Sequence, residues 1–214
     1  MKEYLLEKLK TLNLKEKNDL FVRYFEFNRY NHENNFTPFE INKHLFRIPP
    51  FELVQVFIDS GIDINAKNEA GYTLLFFAKS PKVAELLIQA GADVNTKNKY
   101  GTTPLFYVKS KEIAELLIQA GANINVKDLE GTTPLHWNNN QEIIELLIQH
   151  GADINEKDHR WRTPVEYHRS HGRHDLADFI EQKKLEQEIQ LEKEKLNQML
   201  PNTPKTSNHP KLHL

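Results

Sequence analysis

Hydrophobic positions recur through the middle of the chain with a period of 30 residues. The segment AELLIQAGAD at 84–93 returns at 114–123, ending in Asn123, and at 144–153 as IELLIQHGAD. Its Leu and Ile positions predict a short amphipathic helix, and Gly91 predicts the helix end because glycine enters the left-handed conformation at little cost. A helix this short is marginal alone. The pattern therefore predicts stacked repeats that cover one another.

A second signal opens each repeat about ten residues before this helix begins. Threonine can cap an unpaired N–H, and proline at the first helical position fixes φ without losing a hydrogen bond. The openings are Thr37-Pro38-Phe39, Thr73-Leu74-Leu75, Thr103-Pro104-Leu105, Thr133-Pro134-Leu135 and Thr163-Pro164-Val165. The first unit is divergent, with its second helix predicted over 51–58 and closed by Gly61. The polar Asn- and Gly-bearing stretch between Gly91 and Thr103 predicts a projecting turn or hairpin.

These units resemble the ankyrin repeat over residues 37–182, from Thr-Pro-Leu at the opening to Leu-Leu-Ile-Gln-Ala-Gly-Ala-Asp-Val-Asn at the close. The resemblance implies an all-α solenoid of about five helix pairs with projecting hairpin loops. It also implies that the tips and a concave face bind another protein. The usual period is about 33 residues, and the three missing residues fall between the two helices, so we expect short, irregular first helices. Phe76 and Phe106 stand where the family has the histidine that His136 retains.

The flanking segments predict helices outside the repeats. Within residues 1–36, leucines at helical spacing predict a first helix. A break is predicted over 14–18 and a second helix over 20–30. This segment either covers the first repeat, as terminal repeats require, or binds a partner of its own.

The C-terminal part predicts one charged helix over 175–200, with residues 183–200 beyond the repeats and 201–214 a disordered tail. A partial heptad stripe, interrupted by Glu192, is formed by Leu185, Ile189, Leu196 and Met199. Because the stripe covers less than three heptads, a solvated helical extension is favoured over a coiled-coil helix that pairs two copies of the chain. A monomer is expected.

Composition excludes several classes of function. With 28 Lys and Arg against 30 Asp and Glu, the net charge of −2 argues against binding nucleic acid. The chain has no cysteine, which excludes disulfides and thiol chemistry. A charged start and the lack of an 18-residue apolar run predict a cytoplasmic protein without a membrane span. No catalytic constellation is present, so neither an enzyme nor a cofactor is expected.

A cluster of histidines crowds the last repeat: His150, His159, His168, His171 and His174. His168 and His171 are three residues apart and could share a helix face and a metal. Their segment aligns with the turn between the two helices of the family, and no recognised metal motif is present. Surface and turn histidines are therefore the favoured interpretation, with no metal.

Trp161 stands where Gly71, Gly101 and Gly131 stand in the other repeats. A side chain at positive φ costs roughly 1–2 kcal/mol, so we expect the local turn to differ. The tryptophan either packs on the C-terminal helix or, with neighbouring arginines, forms an exposed anchor for an acidic protein segment.

The predicted partner-binding residues lie at the tips: Tyr72, Lys99, Tyr100, Leu129, Glu130, His159, Arg160, Trp161 and Arg162. Four of them, Tyr72, Tyr100, Leu129 and Trp161, predict an aromatic and apolar ridge at a 30-residue step. The predicted function is a non-catalytic module that binds another protein, and the alternative is a scaffold that self-associates through its C-terminal helix. Inhibitor, adaptor, effector and immunity-type roles are not distinguished.

Overall fold

The computed structural model describes residues 7, 9–17 and 50–199 of the 214-residue chain. The predicted helix over 20–30, the opening at Thr37-Pro38-Phe39 and the predicted tail over 201–214 lie outside these residues.

The described repeats alternate a very short first element with a longer second helix. In chain order the elements are α1 (Pro50–Asp59), the 3₁₀ helix η1 (Leu74–Phe77), α2 (Pro81–Gln89), the 3₁₀ helix η2 (Pro104–Phe106), α3 (Lys111–Gln119), α4 (Pro134–Trp137), α5 (Gln141–Gln149), α6 (Pro164–Ser170) and α7 (His174–Met199). The prediction of short first helices is confirmed, since η1, η2 and α4 have three or four residues each. Among the first helices within the described residues, only α6, in the unit with normal family spacing, reaches seven residues.

The helix ends follow the sequence signals. Prolines open η2, α4 and α6 as predicted. Ser80 and Ser110 cap α2 and α3 by accepting a backbone N–H three residues on. At the other end, Gly91 has φ of 89° and Ala92 N donates to Leu87 O at 2.9 Å, which closes α2.

The core runs the length of the stack because every second helix packs on its neighbours. Contacts join α1 to α2, α2 to α3, α3 to α5, and α5 to α7. The fully buried leucines and isoleucines of these helices form one continuous cluster: Leu53, Leu87, Leu117, Ile143, Ile144, Leu147 and Ile180. Contacts within a unit also occur, as between α4 and α5, but the continuous cluster is built by packing between successive units.

Between the repeats that the structure describes, the chain forms four tip turns, at residues 68–72, 98–102, 128–132 and 158–162. In each turn the first residue, Asn or Asp, accepts hydrogen bonds through its side chain from the N–H groups two and four residues on. Successive turns are also joined, because Lys99 N donates to Ala70 O and Leu129 N donates to Tyr100 O. The tips thus form one hydrogen-bonded row.

A second set of hydrogen bonds, made by asparagine side chains, links each repeat to the next and forms a ladder. Asn95 donates its amide to Gly121 O at 2.9 Å and accepts from Asn123 N at 2.7 Å. Asn65 and Asn125 make the same pair of bonds one unit earlier and one unit later. Because both bonds cross to the next unit, the ladder fixes the register of the stack.

The described N-terminal residues pack on the first unit. Leu9 is buried in the core, and the Lys17 ammonium donates to Ser60 O at 3.1 Å. The predicted break at 14–18 is wrong, because residues 14–17 are helical and the break falls at 11–13. Asn13 starts the second helical stretch by exchanging side-chain and backbone hydrogen bonds with Glu16, a capping box.

The tip glycines yield a prediction about stability. A Cβ at Gly101 would lie 3.1 Å from Leu129 N in the next tip turn, whereas a Cβ at Gly121 would meet no atom within 4 Å. Both have positive φ. We expect Gly121→Ala to lower the free energy of unfolding by about 1 kcal/mol through backbone strain alone, and Gly101→Ala by about 2–3 kcal/mol because the crowding adds to the strain.

Urea unfolding of both variants beside the wild type measures the difference. Equal losses of unfolding free energy in the two variants would show that a Cβ at Gly101 does not clash with the next tip turn.

Candidate functional site

Seven of the nine sequence-predicted site residues lie exposed on the tip turns: Lys99, Tyr100, Leu129, Glu130, His159, Arg160 and Trp161. The three apolar members are strongly exposed, with Tyr100 at 49%, Leu129 at 65% and Trp161 at 78%. Tyrosine and tryptophan are among the residue types that are enriched in binding hot spots.

The expectation that Tyr72 is part of this exposed set is wrong, because its side chain is only 8% exposed. Its ring packs edge-on against Phe76 with centroids 5.0 Å apart, and its hydroxyl lies 3.3 Å from that of Tyr107. Tyr72 occupies the repeat position of Thr102, one residue after the tip glycine, and this position is buried. The four residues of the predicted ridge occupy four different repeat positions, so they do not form one row in register.

Trp161 has φ of 62°, in the same left-handed region as the tip glycines, so the expectation of a different turn is wrong. Its N–H donates to Asp158 O at 3.0 Å, just as Gly101 N donates to Asn98 O. A Cβ is tolerated for a positional reason. The tip glycines of the earlier repeats lie against the next tip turn, and in the described part of the chain no further tip turn follows Trp161.

The alternative in which Trp161 packs on the C-terminal helix is also wrong, since 78% of the side chain is exposed. The Lys157 ammonium lies 6.0 Å from the centre of the ring. The site thus keeps an exposed indole on a strained backbone, and backbone strain of this kind clusters at functional sites.

Arg162 is held inside the last tip turn and is not a projecting cation. Its guanidinium donates to the Asp158 carboxylate at 2.7 Å and 2.9 Å, and the aspartate is nearly fully buried. Burial raises the pKa of Asp158, but hydrogen bonds from the backbone and side chain of Arg162 and the backbone of Arg160 outweigh it and hold the pKa below its usual value. Of the two arginines beside Trp161, Arg160 is the exposed one.

A row of aromatic side chains that the sequence analysis missed lies beneath the tips. It has one member per repeat at the same position and is formed by Phe77, Tyr107, Trp137 and Tyr167. Trp137 is 44% exposed and the others are half-buried. The signal that could have found the row is the same 30-residue step, applied to the position after the family's histidine.

The aromatic row contacts the tips directly. The Tyr107 hydroxyl lies 3.1 Å from Thr102 Oγ1, and the Trp137 indole N–H donates to Asp128 Oδ2 at 3.3 Å. The Tyr167 ring lies 4.9 Å from the Arg162 guanidinium carbon. Tips and row therefore form one continuous surface, which we call the binding face: Tyr100, Tyr107, Leu129, Trp137, Trp161 and Tyr167.

A groove of about 520 Å³ opens between the second and third units at one end of this row. It is lined by Tyr72, Phe76, Phe77, Ala78, Lys79, Tyr107, Lys109, Ser110 and Ile113. Phe77 and Tyr107 form part of its wall, so the groove continues the binding face. Its lining combines aromatic rings with two lysines.

Two histidines are buried below the face and are structural. His136 Nδ1 accepts from Thr133 N at 3.2 Å, so its proton is on Nε2, which donates to Arg162 O at 3.2 Å. His168 Nε2 donates to Leu135 O at 3.1 Å, while its Nδ1 is buried without a partner. Burial lowers the pKa of His136, and it lowers the pKa of His168 to about 4, with help from the nearby charge of Arg173.

The histidine cluster of the last repeat is not gathered into one site. His168 is buried, contrary to the expectation of surface and turn histidines, whereas His171 is exposed and stacks on Tyr167 at 4.2 Å. Within residues 7, 9–17 and 50–199, no three His, Asp or Glu side chains could hold a metal ion together.

None of the helices in that part of the chain is both long enough and apolar enough to cross a membrane.

These features define a class of protein, a stack of short helix pairs whose projecting turns and first helices present side chains on one face. A family model described as "Ankyrin repeats (3 copies)" matches residues 49–128 and 77–158, together just over half of the chain. The chain belongs to the ankyrin repeat family, which confirms the resemblance. Ankyrin repeats are generally protein–protein interaction modules and are typically non-catalytic. A comparison with curated proteins gave no match.

The low pKa of His168 yields a prediction about pH. Between pH 6.5 and about 4 the unfolded chain takes up a proton that the folded chain excludes, so stability falls as the pH falls through this window. We expect wild type to lose about 2 kcal/mol more of its unfolding free energy between pH 7 and 5 than His168→Gln does. Urea titrations at the two pH values measure this.

The carboxylates do not obscure the comparison, because wild type and variant carry the same ones and their titration contributes equally to both losses. Equal losses in wild type and variant would show that His168 accepts a proton while folded.

Proposed function

We propose that this protein is a non-catalytic module that binds a partner protein through its binding face. The observation that carries the proposal is the alignment of one aromatic residue per repeat beneath exposed apolar tips. An exposed tyrosine or tryptophan in one repeat has no particular meaning. Partly exposed aromatic residues at one position in successive units form an extended surface, and no neighbouring unit needs to cover it.

The physical basis of binding is a prearranged set of anchors. The tip turns are joined to one another by backbone hydrogen bonds, and Tyr107 and Trp137 are each held by a tip residue of their own unit. A partner would therefore dock on side chains that have little freedom left to lose, which lowers the entropic cost of association. Aromatic side chains supply the large contact area that anchors most interfaces.

Both tryptophans of the chain, Trp137 and Trp161, lie on the binding face. We expect the double variant Trp137→Leu/Trp161→Gly to lose its partner, with affinity reduced about tenfold or more. The variant is designed to fold. Glycine relieves the positive φ of Trp161, a gain of about 1–2 kcal/mol that offsets the greater chain entropy of unfolded glycine.

The measurement is capture from a native lysate, quantified by mass spectrometry, with wild type, this variant and Leu185→Gln/Leu196→Gln. The last pair removes two exposed apolar side chains from α7 and leaves the binding face intact. Partners lost only with the tryptophan variant support the proposal. Equal recovery by wild type and the tryptophan variant would contradict it, and matching thermal unfolding curves exclude misfolding as the cause of a loss.

A second candidate function is self-association through the C-terminal helix. The observation in its favour is a set of exposed apolar residues on α7: Leu185, Ile189, Leu196 and Met199. The first turns of α7 pack on α6 and α5, and Lys183 bonds Glu145 of α5 at 3.0 Å. Residues 185–199 are exposed throughout, so this part of the helix has surface to offer a second copy.

Sedimentation over a range of protein concentrations tests the second candidate. If α7 pairs two copies, wild type sediments with the mass of a dimer at high concentration and Leu185→Gln/Leu196→Gln remains a monomer. The same monomer mass for both proteins would eliminate pairing through this helix.

The predicted cytoplasmic location stays a prediction.

A further inference from the structure

Exposed apolar side chains of α7 follow one another at intervals of four and three residues. Leu185, Ile189, Leu196 and Met199 are each at least 45% exposed, and Glu192 completes the series. An α-helix turns about 100° per residue, so these five positions lie within an arc of about 80°. We call this surface the α7 stripe. Its spacing is that of the a and d positions of a coiled coil.

The α7 stripe faces away from the repeat array. Ile180 is fully buried, and the Lys183 ammonium bonds the Glu145 carboxylate of α5 at 3.0 Å. These two α7 positions lie about 140° and 160° around the helix from Leu185. The array therefore covers the opposite side of α7 and leaves the stripe accessible. Because α7 has 26 residues and its first turns pack on α6 and α5, the helix is already formed and pairing bears no cost of helix nucleation.

We propose that the α7 stripe binds the α7 stripe of a second copy of this chain as an antiparallel two-stranded coiled coil. This inference rests on the second candidate function, self-association, and it names the partner surface and the direction of pairing. In the proposed register, residues 182–199 of the two copies overlap over about 27 Å. Leu185 faces Leu196 of the second copy, and Ile189 faces Glu192. Since the seam has only about two heptads, we expect a weak dimer.

Charges along the two edges of the α7 stripe are complementary in this register. On one edge Glu188 and Lys195 each directly precede a stripe residue, and on the other Glu186 and Lys193 each directly follow one. These are g and e positions, whose ion pairs set partner choice and orientation in coiled coils. Antiparallel helices bring like edges together, so Glu188 faces Lys195 of the second copy, and Glu186 faces Lys193. By symmetry each pair forms twice, and all of these pairs are attractive.

Three of these four charged side chains are available to a second copy. Within the described residues, Glu188, Lys193 and Lys195 are exposed and make no ion pair or side-chain hydrogen bond. Glu186 is already paired with Lys183 at 3.2 Å, although half of its side chain is exposed. The choice of register therefore depends mainly on Glu188 and Lys195.

A parallel arrangement is less favourable, because identical helices in register place each stripe residue beside its own copy. The two Glu192 carboxylates would then face each other in the seam, and like charges at short distance repel. Glu181 would face Glu186 as well. In the antiparallel register each Glu192 faces Ile189, so the two carboxylates are not opposed. A polar residue in the seam still lowers the affinity of the pair.

Sedimentation equilibrium of the full chain tests the charge pairs. We expect Glu188→Lys to weaken dimerisation about three- to thirtyfold. The swap Glu188→Lys/Lys195→Glu should restore it, because opposite charges again face each other across the antiparallel seam. In a parallel dimer the swap would not restore pairing, since the new cation would still face Lys193. The matched control is Glu194→Lys, which makes the same charge change on the opposite side of α7 and should leave the dissociation constant unchanged. We expect Glu192→Leu to strengthen dimerisation about tenfold or more.

Cysteine cross-linking tests the direction of pairing. The chain has no cysteine of its own, so introduced thiols report on the pairing alone. When Leu185→Cys and Leu196→Cys chains are mixed and oxidised, we expect a mixed disulfide, identified by mass spectrometry of the cross-linked peptides. The two positions face each other, and a disulfide requires Cα atoms within about 7 Å. Leu185→Cys alone should not cross-link, since its two copies are about 16 Å apart along the antiparallel helices.

The outcomes separate this inference from the function on which it rests. A disulfide between two Leu185→Cys chains, or a charge swap that does not restore dimerisation, would overturn the antiparallel arrangement and leave self-association standing. An effect of Glu188→Lys no larger than that of Glu194→Lys would do the same. A monomer mass for wild type and Glu192→Leu at every concentration would overturn both this inference and the second candidate function.

Discussion

The structure depends on the close approach of each tip turn to the next. A Cβ at Gly71 would lie 3.0 Å from Asn98 Cα, and one at Gly101 would lie 3.1 Å from Leu129 N. At this distance each later tip donates one backbone hydrogen bond to the tip before it, and the short helices beneath the tips lie in register. This contact repeats at a constant step along the array, together with the packing between successive second helices.

This contact also explains where the protein departs from its own repeat. In the described chain no tip turn follows 158–162, so the crowding that requires glycine is absent and only the positive φ remains. Trp161 adopts this positive φ, and its indole is exposed to solvent. The departure is thus tolerated at the one described tip where a large side chain meets no next unit. A binding residue could be placed here at a modest cost in stability, about 1–2 kcal/mol.

Much of the fold could be predicted from the sequence because its signals are local. The prolines at the repeat openings and the glycines after the second helices act within one turn of the chain, and those within the described residues lie at observed helix starts and ends. The short first helices followed from the period of 30 residues, because the three residues missing from the usual repeat fall between the two helices. The N-terminal break was misplaced, because Asn13 and Glu16 form a capping box that starts a helix three residues before Lys17, within the segment predicted to be irregular.

The candidate site was less predictable, because exposure depends on contacts between repeats. By itself the sequence determined the fold, its period and the exposed tip residues Tyr100 and Leu129. Only the tertiary structure decided that Tyr72 is buried against Phe76 and Tyr107 while Trp161 is exposed. The two aromatic residues sit one position apart in the repeat, and local sequence treats them alike. What separates them is tertiary packing: Tyr72 contacts Phe76 of its own unit and Tyr107 of the next, whereas within the described residues no tip turn follows Trp161.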